Sequence, residues 1–118
     1  SGALQLAEQQ YQKAMETAER LRTDPARREQ AEIDLAAAYQ RLGDVAMQRG
    51  QWSTGVQRLR QSLELREALA GRRPDDLKAR NDLAASVQRL GLVHQLQGET
   101  DEATKLFRRF LDLCRSLH

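Results

Sequence analysis

Asp34-Leu35-Ala36-Ala37-Ala38-Tyr39-Gln40-Arg41-Leu42-Gly43-Asp44-Val45 returns 48 residues later as Asp82-Leu83-Ala84-Ala85-Ser86-Val87-Gln88-Arg89-Leu90-Gly91-Leu92-Val93. Extended over 34–70 and 82–118, the two stretches agree at 14 of 37 positions, where this composition alone gives roughly four. Gly50 recurs as Gly98, Arg60 as Arg108, and Leu63, Leu65 and Leu69 as Leu111, Leu113 and Leu117. The chain carries an internal duplication, so a fold assigned to one copy applies to both.

Each copy reads as two helices. Ala (16), Leu (18), Arg (16) and Gln (13) fill more than half of the 118 residues, with only two prolines and 4% aromatics, a vocabulary of strong helix formers. The first helix of each copy is expected near Pro25 or Pro74, because proline at the first helical position removes only an N–H that would be unpaired. Asp24 is a suitable cap for one, and Asp75 and Asp76 place negative charge in the first turn of the other. Ile33, Ala37, Leu42 and Val45, like Leu83, Val87, Leu90 and Val93, follow helical spacing until Gly50 and Gly98 close the helices. Second helices start near Trp52 and Thr100. Residues 3–22 form a further helix with Leu4, Ala7, Tyr11, Ala14, Ala18 and Leu21 along one side. Because 14–34 align one period before 62–82, this helix reads as the second half of another repeat. The organisation expected is one all-α domain over 1–118, with a leading helix in 1–23, a first repeat in 24–71 and a second in 72–118.

The spacing resembles the tetratricopeptide repeat, whose signature W-x2-L-G-x2-Y followed by A-x3-F marks where two antiparallel helices pack. The first copy reads Tyr39-x2-Leu42-Gly43-x2-Ala46, then Gly55-x3-Leu59; the second reads Val87-x2-Leu90-Gly91-x2-His94, then Ala103-x3-Phe107. Ala46 and His94 depart from the usual tyrosine. A standard unit has about 34 residues, and the extra residues here amount to about two turns for each helix of the pair, which keeps the facing register. The resemblance is therefore to a long-helix form of the repeat, similar to those of bacterial multi-domain signalling proteins. It implies an α-solenoid of antiparallel helix pairs, about five helices in all, that holds a peptide or protein partner in a concave groove lined by the first helix of each pair. Carried onto this chain, the groove positions are Ala37, Gln40, Asp44, Met47 and Gln48, then Ala85, Gln88, Leu92, Gln95 and Leu96. The family's chaperone-tail binders grip a terminal carboxylate with Lys and Asn where this chain has Gln40 and Asp44, so an acidic chaperone tail is disfavoured.

Other function classes find little support. Nineteen basic residues face 17 acidic ones with the signs interspersed, whereas a nucleic-acid binder concentrates Lys and Arg on one face. Arg27-Arg28, Arg72-Arg73 and Arg108-Arg109 point about 100° apart within each pair and make no single patch. No apolar run approaches a membrane span, and no secretory leader is read at Ser1-Gly2. One cysteine excludes an internal disulfide, and a cytoplasmic location is expected. Catalytic groups do not converge. His94 takes a packing position, and Cys114 and His118 share a helix face but lack the further ligands a metal needs. Trp52 reads as packing. The carboxylates have basic partners one turn away, as in Glu16 with Arg20 and Asp101 with Lys105. No enzyme and no cofactor is expected.

One difference between the copies stands out. Arg58, Ser62 and Arg66, which read as a solvated stripe, become Leu106, Phe110 and Cys114. With Phe107, Leu111, Leu113 and Leu117 they give the last helix an apolar arc of nearly half its circumference, where repeat arrays normally end on a polar cap. Three arrangements satisfy such a face: further chain, a second copy in a homodimer, or closer packing within the chain. Leu106, Phe110, Leu113, Cys114 and Leu117 are accordingly candidates for an oligomer or neighbour contact. The alternative to groove binding is an oligomerisation or regulatory segment of a larger signalling protein that uses this helix.

Overall fold

Glycines and prolines at the predicted breaks divide the chain into five helices, and among the described residues, 2–116 of the computed structural model, there is no strand. The helices are α1 (Gly2–Leu21), α2 (Arg28–Gln48), α3 (Trp52–Arg72), α4 (Leu77–Leu96) and α5 (Thr100–Ser116). The fold is all-α. Contacts divide the chain into two compact units, Ser1–Leu65 and Arg66–His118.

The ends of α2 and α4 are built alike. Gly50 and Gly98 have φ of 74° and 78°, a left-handed conformation in which a Cβ would be strained. In the first copy the N–H of Gln51 bonds the Ala46 carbonyl at 2.8 Å and that of Gly50 the Met47 carbonyl at 3.0 Å; in the second, Glu99 bonds His94 at 2.9 Å and Gly98 bonds Gln95 at 3.0 Å. Both are Schellman closures, which pair carbonyls that the helix end would otherwise leave open.

The starts differ from expectation. Pro25 lies in a turn, and α2 begins three residues later, with Arg27 at its N-cap and no side-chain cap. Asp24 instead accepts the Ala26 N–H at 3.0 Å, closing the turn ahead of the helix. Pro74 is likewise in a turn. Asp76 is the N-cap of α4, accepting the Ala79 N–H at 3.2 Å, so its carboxylate pairs a helix-end donor just ahead of the first turn.

In the first unit, Met15 and Ala18 of α1 bury against Leu35, Ala38 and Leu42 of α2, flanked by Tyr11, Tyr39 and Leu65. The pairs Glu8–Arg49 and Arg22–Glu32 join opposite ends of α1 and α2, so the two helices run antiparallel. Gly43 of α2 meets Leu59 of α3, and Ala36 meets Ser62; the contacts ascend one helix as they descend the other. A Cβ at Gly43 would stand 2.9 Å from Leu59 Cγ and Cδ2. In the second unit the same joint recurs, with Gly91 of α4 under the Phe107 ring of α5, while Leu83, Ala84, Val87, Leu90, Val93 and Ala103 are buried.

The stripe Arg58–Ser62–Arg66 is not solvated. Ser62 is 1% exposed and its Oγ donates to the Ala36 carbonyl at 2.7 Å. Arg58 lies 5.6 Å from the centre of the Tyr39 ring, and Arg66 Nη1 donates to Ser86 Oγ at 2.7 Å. The pattern suggests solvent because these side chains are polar, but their partners come from other helices and are invisible at local spacing. One surface pairing also shifts: Lys105 Nζ sits 3.6 Å from Glu102, three residues away, in place of Asp101.

Gly71 lies near the end of α3, and a Cβ added there would meet nothing within 4 Å. Gly71→Ala should therefore stabilise the chain by about 0.5–1 kcal/mol, the helix-propensity difference without a packing penalty. Urea denaturation checks this through a raised midpoint at unchanged slope.

Candidate protein-binding faces

On α2, Ala37 and Gln48 are exposed and Gln40 and Asp44 are half-buried, all on one side at spacings of three and four. Met47 behaves differently. Its Cε lies 2.5 Å from where a Cβ on Gly55 would stand, so the thioether fills the α2–α3 joint. The matching positions on α4 are Ala85, Gln88, Leu92 and Leu96, with Gln95 beside them; Ala85, Gln88 and Gln95 are exposed, as are Leu92 at 42% and Leu96 at 75%. The first-unit face is therefore polar with one carboxylate, and the second-unit face offers two open leucines one turn apart between amides.

The α5 candidates are placed otherwise. Leu106, Phe110, Leu113 and Cys114 are half-buried, and Leu106 Cβ lies 3.4 Å from where a Cβ on Gly91 would stand. Leu106 faces α4, as its counterpart Arg58 faces α2. Leu117 and His118 lie outside the described residues. Leu111, part of the apolar arc read from sequence though not among the contact candidates, is 52% exposed. Leu77 at 58% and Leu6 at 57% are further open leucines; Leu6 lies off the apolar side read for the first helix, and Leu77 at the start of α4 is not singled out from sequence.

Titratable groups form no reacting constellation among the described residues. His94 is 4% exposed, with Nδ1 3.4 Å from Glu99 Oε1 and its carbonyl in the Schellman closure, so it belongs to a helix-end joint. Burial pushes the Tyr39 phenol above its ordinary value, Glu19 adds to this, and Arg58 and Arg22 oppose it; the hydroxyl stays neutral. A shallow hollow between α1 and α2 is lined by Glu19, Arg22, Thr23, Arg28 and Glu32, and there Arg22 Nε pairs with the buried Glu32 at 3.0 Å. Trp52 is 37% exposed. No group of three His, Cys, Asp or Glu side chains able to hold a metal occurs among the described residues.

A sequence model of the tetratricopeptide repeat matches residues 35–76 and 83–118, two segments that begin 48 residues apart and span 78 of the 118 residues. The chain belongs to the tetratricopeptide repeat family. Repeats of this family generally mediate protein–protein interaction and are typically non-catalytic scaffolds. No curated protein and no solved structure matches the chain. In tetratricopeptide terms α2 and α4 are first helices and α3 and α5 second helices, and the Leu-Gly pairs at 42–43 and 90–91 serve the close helix approach seen at Leu59 and Phe107. No helix of the described residues is long and apolar enough to cross a membrane.

Proposed function

We propose that this tetratricopeptide protein is a non-catalytic interaction module that binds a peptide or protein segment on the outward face of its first helices, with α4 supplying most of the affinity. The observation that carries this reading is the pair Leu92 and Leu96, 42% and 75% exposed and one helical turn apart. Burying two leucines contributes about 1.5–3 kcal/mol each when complete, and the exposed amides of Gln88 and Gln95 can donate to and accept from a ligand backbone. No nucleic acid enters this reading, because Lys and Arg are interspersed with acids along both copies. A reducing, cytoplasmic setting suits its one free thiol.

The test is selection of binders from a displayed peptide library, followed by affinity measurement on variants. Leu92→Asp with Leu96→Asp should weaken a selected peptide at least tenfold while the chain stays folded, with a circular-dichroism melt lowered only by the poorer helix propensity of aspartate. Selected peptides that bind the double variant as tightly as the parent would overturn the assignment of this face.

A further inference from the structure

Gly55 on α3 is buried although it has no side chain of its own to fill the joint, and the side chain of Met47 on α2 covers it. A Cβ built at Gly55 would stand 2.5 Å from Met47 Cε, 3.0 Å from Sδ and 3.1 Å from Cγ, so the thioether end lies on the α3 backbone. One turn earlier on α2, a Cβ at Gly43 would come within 3.2 Å of the Gly55 carbonyl oxygen. Gly55 thus receives the backbone of α2 on one turn and its sulfur on the next.

The second copy fills the same place without sulfur. Gly55 becomes Ala103 and Met47 becomes Gln95. Ala103 brings its own methyl and is 3% exposed, while Gln95 is exposed. Position 47 therefore lies at the border of the joint, within reach of water, and Met47 is half-buried. The other methionine, Met15, is 6% exposed within the α1–α2 core.

We propose that Met47 is an oxidative modification site whose conversion to the sulfoxide loosens the α2–α3 joint. The sulfur attacks the oxygen–oxygen bond of hydrogen peroxide, gains one oxygen and releases water; the thioether loses two electrons and the peroxide gains them. The new S–O group is bulkier and polar at the atom that packs on Gly55, where a group without hydrogen bonds is costly to bury. The nearest backbone donor cannot serve it, because the Gly55 N–H is already given to the Gln51 carbonyl at 2.9 Å. The oxidised side chain leaves the joint for water, and the last turn of α2, which carries Asp44 and Gln48, loses its anchor on α3. Methionine sulfoxide reductases reverse the step.

Treatment of the full chain with dilute hydrogen peroxide, followed by site-resolved mass spectrometry, should add oxygen to Met47 at least tenfold faster than to Met15. The oxidised chain should melt several degrees below the parent and exchange amide hydrogens faster across the α2–α3 turn, and sulfoxide reductases acting on both epimers should restore both properties. Met47→Leu should keep its melt under peroxide, which separates this site from oxidation of Cys114. Gly55→Ala tests the geometry: its methyl displaces the flexible thioether, so Met47 should oxidise several-fold faster there, and that oxidation should no longer lower the melt. Equal oxidation of Met15 and Met47, an oxidised chain whose melt and exchange match the parent's, or an unchanged Met47 rate in Gly55→Ala would overturn the proposal.

Discussion

Leu35→Ala should lower the unfolding free energy by about 2–5 kcal/mol. Leu35 is 0% exposed and sits where Met15 and Ala18 of α1 meet Ala38 and Leu42 of α2. Removing its isobutyl end leaves a cavity that the helices cannot close, because Ala18 and Ala38 already bring them near contact and Met15 alone has the flexibility to fill part of it. Against a total of roughly 5–15 kcal/mol for a domain of this kind, the loss is large enough to move the midpoint of a urea transition far from the parent's. In a repeat protein such damage stays largely local. Hydrogen exchange should therefore quicken most in α1 and α2 and least in α5. A loss below about 1 kcal/mol would mean that the α1–α2 core is looser than the burial of Leu35 indicates.

Gly43→Val should cost about 2–3 kcal/mol by the opposite route, excess volume. Its Cβ would lie 2.9 Å from both Leu59 Cγ and Cδ2 and 3.2 Å from the Gly55 carbonyl oxygen. The leucine end can swing away, but the carbonyl belongs to the α3 backbone, so the helices must separate. Valine recovers little helix propensity relative to glycine. Leu59→Ala should cost less in the Gly43→Val background than in the parent, giving a favourable coupling of about 1 kcal/mol or more in a double-mutant cycle. Strict additivity of the two substitutions would show that close approach at Gly43 is not what the glycine serves. Gly71→Ala makes the contrast, since the same residue type is costly to replace in one place and beneficial to replace in the other.

Much of the architecture was legible because it is written in local signals. The 48-residue period, glycines at positions 50 and 98 that tolerate positive φ, and apolar residues at helical spacing each act over a few residues, and the helix-end geometry follows from them directly. The proposed binding faces were legible only as positions. Gln88, Leu92 and Leu96 are outward on α4, but Met47, equally placed by register, turns its thioether onto Gly55, because a flexible side chain follows the nearest empty volume. Helix starts are ambiguous for a related reason. Asp24 can cap a helix or close a turn, and the structure uses it for the turn.

Sequence alone determined the duplication, the helical class, the ends of α2 and α4 and the family, all of which depend on intrinsic backbone preferences and on pattern. Only the tertiary structure decided which polar groups are interior, as with Ser62 at 1% exposure, and which of two identical leucines meets water, Leu63 at 7% or Leu111 at 52%. Burial is a property of neighbours. A residue's own chemistry states what it would gain by being covered, and the packing of other helices decides whether it is.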